Sequence, residues 1–121
     1  MFLTLDFGSD IPIYTQIRNE IVKGIASGKL KEGDRLRSIR ALAEESGVNM
    51  LTVSKAYTAL KQEGYILTDR RNGTVVAKQE KTVVSEKTIQ ALGVLVNELK
   101  AAGQSLEEVQ ALCAKVYRED L

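Results

Sequence analysis

Two short amphipathic segments stand only three residues apart: SIRALAEES and MLTVSKAYTALKQE, the latter ending at Gly64, are separated by Gly47, Val48 and Asn49. A junction this short makes the second helix cross the first, the arrangement of a helix-turn-helix. The first segment opens at Ser38, an N-cap residue, turns Ile39, Leu42 and Ala43 inward and stops near Gly47. In the second, Val53, Ala56, Tyr57 and Leu60 form one apolar stripe at helical spacing. Its wet face begins oddly. Where a helix usually displays Lys, Glu and Gln, the first turn carries Met50, Leu51, Ser54 and Lys55, mostly short or neutral. Capping explains small residues at a helix start; so does a turn that lies close against another molecule.

The flanking segments complete a recognisable order. After an extended start, Pro12 marks a first helical position with Asp10 just ahead, and Ile13, Ile17, Ile21 and Ile25 recur every fourth residue beside Tyr14 and Val22. Gly28 closes that helix. LKEGDRL is too short and polar for another, and its Gly33-Asp34 turn leaves room for a short strand. Beyond Gly64, YILTD and TVVAK flank RRNG, whose Asn72-Gly73 pair signals a hairpin. Helix, short strand, helix, turn, helix, hairpin is the order of a winged helix-turn-helix. The fold class expected is mainly α with a small β-hairpin wing, over residues 1–78.

Residues 79–84 (QEKTVV) read as a linker, and 85–121 as a two-helix tail. Ile89, Leu92, Val96 and Leu99 make a heptad-like seam. Gly103 interrupts it. Ser105 with Glu108 forms a capping box for a last helix carrying Leu106, Val109, Leu112, Cys113, Val116 and Tyr117 on its apolar side. Two helices of about thirty residues cannot bury both stripes against each other, because so small a core is marginal. The tail either folds back on the first domain or pairs with a second copy. A long stripe after a polar linker favours dimerisation through Ile89, Leu92, Val96, Leu99, Leu106, Val109, Leu112 and Val116, with Cys113 a small buried apolar residue.

Catalysis finds little footing. The chain has no His and one Cys, and it holds neither a Cys cluster nor a Gly-rich phosphate loop, so no metal or cofactor is expected. Glu44 and Glu45, like Glu107 and Glu108, fall on exposed helix faces, where a solvated surface is the plain reading. No apolar run approaches a membrane span, MFLTLDFGSD lacks a basic leader, and a lone Cys113 suits a reducing compartment, so a cytoplasmic location is expected. Net charge is +1, but residues 1–78 hold 12 Lys/Arg against 9 Asp/Glu, and residues 79–121 hold 5 against 7. That mild asymmetry permits a nucleic-acid face on the first domain.

A winged helix sets the start of its third helix in the DNA major groove. On this reading Asn49 caps the helix, and Thr52 with the free N–H groups of the first turn holds a phosphate. Ser54 reaches a base edge or phosphate, Met50 and Leu51 lie at the groove with Leu51 against a thymine methyl, and Lys55 offers a point charge. Arg40 grips a phosphate or a guanine. Arg35, Arg37 and Ser38 extend the same basic edge, and Arg70 and Arg71 reach the neighbouring minor groove as Gly73 lets the wing approach closely.

Residues 12–76 resemble the GntR family of bacterial transcription regulators. The resemblance rests on P-x-Y-x-Q-I, G-x-L-x-x-G-x-x-L, S-x-R-x-L-A, G-V-N-x-x-T-V-x-K-A-Y and L-x-x-E-G, all present in this chain. The short tail with SLEEV looks like the YtrA-like branch. The resemblance implies a homodimer joined through its C-terminal helices, an inverted-repeat operator in double-stranded DNA, often a repressor's role, and DNA contacts at Arg40, Thr52, Gly73 and the turn around Asn49. Three positions depart from the family pattern: Arg37 stands for a usual Pro, Met50 for an Arg or Pro, and Asn72 for a second wing Gly. Met50 cannot make the bidentate Arg–guanine pair. The tail is too small to enclose a typical ligand pocket, so a small-molecule effector would sit between subunits or between domain and tail. The competing expectation is a winged-helix protein-interaction module without DNA binding.

Overall fold

A computed structural model of the protein describes residues 3–118. The chain divides into two compact units, Met1–Gln79 and Glu80–Leu121. The first contains α1 (Ile13–Ala26), α2 (Ile39–Ser46), α3 (Met50–Gln62), β1 (Ile66–Asp69) and β2 (Gly73–Val76); the second contains α4 (Glu86–Ala101) and α5 (Leu106–Arg118).

The core of the first unit gathers Ile17 and Ile21 of α1, Leu36, Leu42 and Ala43 around α2, the stripe Val53, Ala56, Tyr57 and Leu60 of α3, and Ile66 and Val76 of the hairpin. Each Val, Leu or Ile side chain buried this fully contributes about 1.5–3 kcal/mol. The four-residue repeat of α1 explains why only its middle is fully buried. Each step of four turns the side chain about 40° past a full circle, so Ile13 and Ile25 sit at the core's edge.

Pro12 lies one residue outside its expected place. It is the N-cap of α1, with φ −54° and ψ 143°, and its carbonyl accepts from Thr15 and Gln16 at 3.0 and 3.1 Å. No side chain caps this helix. Instead Gln16 ties down the loop before it, accepting from the Asp6 N–H at 2.7 Å and donating to the carbonyls of Asp6 and Ile11 at 2.9 Å.

The helix-turn-helix junction depends on Gly47, which caps α2 in the left-handed region at φ 67°, ψ 30°. A Cβ there would be strained. The wing differs in detail from the expected Asn-Gly turn. Asp69 pairs with Gly73, so the loop is Arg70, Arg71 and Asn72, and Gly73 alone takes a positive φ, 75°. This is the three-residue hairpin in which a glycine follows the turn. The short strand expected before α2 contracts to one bridge, Arg35 opposite Val75, with the Leu36 N–H donating to the Thr74 carbonyl at 2.8 Å.

In the second unit, Ser85 caps α4, its hydroxyl accepting from the Thr88 N–H at 3.1 Å. Ser105 and Glu108 form the reciprocal capping box at 3.1 Å in both directions. Val109, assigned to the dimer seam, is already buried within the single chain, so little of its surface is left for a partner. Cys113 is exposed in the single chain; its expected burial belongs to the paired tail. Periodicity cannot divide the stripe of α5 into self-covered and open positions. Ile89, Leu92, Leu106, Leu112 and Val116 are exposed, Val96 and Leu99 half-buried, and Val94 and Leu95, outside the heptad-like seam, are exposed as well.

Candidate nucleic-acid interface

Core packing fixes the orientation of α3 through Val53, Ala56, Tyr57 and Leu60, and this turns its opposite face to solvent. At the start of that face Leu51 is 77% exposed and Met50 47% exposed, so two neighbouring apolar side chains stand open to a partner. Thr52 and Ser54 are half-buried beside them, and Asn49 and Lys55 are exposed.

The backbone donors of this turn are mostly engaged, contrary to the expected row of free N–H groups. Asn49 Oδ1 accepts from the Leu51 N–H at 2.7 Å, and the Asn49 carbonyl accepts from Thr52 and Val53 at 3.0 and 3.3 Å. Among the described residues, the Met50 N–H is the one first-turn donor left without a partner. An efficient cap satisfies the groups that would otherwise have held an anion. Any phosphate at this turn therefore depends more on side chains than on the helix end.

Around the turn the cations fall into three sets. Lys55 and Arg35 are held by uncharged partners. The Lys55 ammonium lies 4.1 Å from the centre of the Tyr14 ring, and an Arg35 guanidinium N–H donates to Asn72 Oδ1 at 3.2 Å. The Tyr14 ring leaves the Lys55 charge whole, whereas the Asp69 carboxylate lies near enough to Arg35 to feel and partly offset its charge. Arg37, by contrast, pairs with Glu45 at 3.3 Å, both side chains half-exposed, so part of its charge is offset. Arg40, Arg70 and Arg71 are exposed, and their side chains have no partner among the described residues. Ser38 caps α2, its hydroxyl accepting from the Ala41 N–H at 3.1 Å. An open recess of about 370 Å³, lined by Arg35, Leu36, Arg37 and Ser38, runs along this edge.

At the wing tip, Asp69 organises the loop. Its carboxylate accepts from the Arg71 N–H at 2.8 Å and from the Asn72 side chain at 3.2 Å. Those bonds, first among them the one from the Arg71 backbone, hold its carboxyl below the usual carboxylate range. Asn72, the departure from the family's glycine, thereby links Asp69 to Arg35 and ties wing to basic edge.

Two positions that shape this surface carry no sequence signal of doing so. One is Tyr14, expected only as packing. The other is Tyr57, whose hydroxyl donates to the Arg37 carbonyl at 2.6 Å from inside the core and so fixes the segment entering α2. Burial, and then the nearby Glu45 carboxylate, push the Tyr57 hydroxyl up to about 12. An unfolded tyrosine ionises near 10. The stabilisation is therefore complete below pH 10 and is lost as pH rises toward 12, because the unfolded chain gives up the proton first. Tyr57→Phe is expected to lower stability by about 0.5–1.5 kcal/mol at neutral pH, and the gap between the two proteins should narrow between about pH 10 and 12. Urea denaturation at pH 7 and pH 11 measures both. An unchanged gap at the higher pH would mean the hydroxyl does not titrate as described.

The comparisons agree with this geometry. Residues 13–76 match the profile of bacterial regulatory proteins of the gntR family. The chain is similar to the HTH-type transcriptional repressor YtrA of Bacillus subtilis, 36% identical over 111 residues that span 88% of this chain and 85% of that protein. Its fold is similar to a transcriptional antiterminator from Listeria monocytogenes, at TM-score 0.87 and 35% identity over 99% of this chain and 92% of that one. It is also similar to AraR(DBD) in complex with operator ORX1, at TM-score 0.54 and 28% identity over 62% of this chain and 93% of that one. The described residues contain no helix long and apolar enough to cross a membrane. With a family profile over more than half its length and a YtrA-like relative along most of it, the chain belongs to the GntR family and is a DNA-binding transcription regulator of winged-helix build, not an enzyme.

Proposed function

We propose that the protein works as a homodimeric repressor in the cytoplasm, joined through α4 and α5 and bound to an operator with two inverted half-sites. The observation that carries this reading is the open apolar face of the tail. Ile89, Leu92, Leu95, Leu106, Leu112 and Val116 are exposed on two adjacent helices, more apolar surface than a lone chain ordinarily leaves wet. A second copy would cover it isologously, with residues 79–84 as the linker to each winged domain. Each domain would then present Asn49, Met50, Leu51, Thr52, Ser54 and Lys55 to a major groove, Arg40 with Arg35, Arg37 and Ser38 to the flanking backbone, and Arg70, Arg71 and Gly73 to the adjacent minor groove. The engaged first-turn N–H groups shift the weight to Arg40 and Lys55. The Glu45 pair makes Arg37 the weakest contributor of the basic edge. Repression would follow if the dimer covers a promoter, as the description of its relative YtrA as a repressor suggests. An effector, where one acts, would bind between subunits and alter their spacing.

Mobility shifts on the DNA upstream of the protein's own gene, in about 150 mM salt, test the reading. Binding at least about a thousandfold tighter than to random duplex is the expected result. Equal binding to both would favour a protein-interaction module instead.

A further inference from the structure

We infer that Tyr14 is a positioning residue for DNA binding, its ring holding the Lys55 ammonium at the surface that α3 presents to the duplex. This rests on the DNA-facing assignment of α3 proposed above. Tyr14 is the second residue of α1 and packs, half-buried, at the edge of the core, so its ring is fixed by the fold. Lys55 comes from a different helix, stands one turn after the highly exposed Leu51, and is itself exposed. The distance of 4.1 Å from ammonium to ring centre brings the charge onto the negative face of the ring.

The choice of partner matters. A carboxylate would hold Lys55 as firmly but would offset the charge that attracts a phosphate, as Glu45 does for Arg37. The ring restrains the flexible four-carbon stem while leaving a full positive charge and no carboxylate to occupy the N–H donors. A lysine already restrained loses less rotamer freedom when it meets a phosphate, so the contact is stronger than that of a free lysine. The plainer alternative, that Tyr14 only fills space, gives no reason for its effect on DNA binding to depend on Lys55.

That dependence is the test. The full chain and the variants Tyr14→Phe, Tyr14→Leu, Lys55→Gln and Tyr14→Leu/Lys55→Gln are titrated by fluorescence anisotropy against an operator selected from random duplexes by binding to the wild-type protein, and against an unselected random duplex. Each titration is repeated at several salt concentrations. Tyr14→Phe keeps the ring and should bind like wild type. Tyr14→Leu should bind both duplexes about two- to fivefold more weakly. Lys55→Gln should lose more and lower the salt slope by about one. In the Lys55→Gln background, Tyr14→Leu should change nothing. Thermal melts identify any variant that fails to fold; if Tyr14→Leu is one, Tyr14→Met, which keeps most of the bulk without the ring, takes its place in the same cycle with the same expected losses. Tyr14→Leu weakening Lys55→Gln as much as wild type overturns the inference, as does Tyr14→Leu binding equally well or more tightly. Wild-type protein that prefers no duplex overturns the DNA-facing reading instead, so the two failures are distinct.

Discussion

Leu92→Glu is expected to convert the protein to a monomer and to weaken binding to a two-half-site operator by a hundredfold or more, on the order of what joining two modules contributes. Leu92 is 54% exposed in the single chain, so a carboxylate there remains in water and α4 keeps its fold. In a two-fold pair the same carboxylate is brought, together with its symmetry mate, into an apolar seam. Burying unpaired charges costs several kcal/mol each, enough to dissociate a modest interface. Leu92 is a sharper probe than Leu99, which is half-buried and whose substitution would also disturb its own chain. Sedimentation equilibrium gives the mass and anisotropy gives the affinity. A variant that remains dimeric would move the interface away from α4.

Arg40→Ala should weaken operator binding by about 1–3 kcal/mol, roughly five- to 150-fold, while leaving the melting temperature nearly unchanged. Arg40 is the second residue of α2, exposed, and among the described residues its guanidinium has no partner to lose. Alanine suits that helix at least as well as arginine. The form of the loss distinguishes the type of contact. If the guanidinium reads a guanine, discrimination relaxes at one base pair in each half-site; if it holds a phosphate, all sequences weaken alike and the salt slope falls by about one. A large drop in melting temperature would make Arg40 structural.

The sequence determined the architecture where local rules suffice. The three residues Gly47, Val48 and Asn49 define the helix-turn-helix because only a few backbone paths join two helices that closely, and Gly47 takes the one left-handed position required. The stripe of α3 has no competing period, and Ser38, Asn49 and Ser105 all cap as their side chains suggest. The interaction surface was less legible. Helical spacing places Lys55 on the wet face but contains nothing about Tyr14, forty-one residues earlier, whose ring meets it across two helices. The same limit hid the Tyr57 bond to Arg37, the Gln16 ties and the Glu45 pair, each a long-range or side-chain-specific contact. Val109, Leu95 and Cys113 show a further limit. A stripe says that a face is apolar, and does not say whether its own chain or another covers it.

The most direct test of α3 as the DNA-reading element is methylation interference on the selected operator, because methylating guanine N7 blocks only the major groove. Interference should fall in two patches related by a two-fold axis and separated by one helical turn, about 10–10.5 base pairs, or a multiple of it. In the Arg40→Ala protein it should weaken equally in both patches. Binding unaffected by N7 methylation, or blocked in a single patch by a protein of dimer mass, would contradict paired insertion of the exposed start of α3.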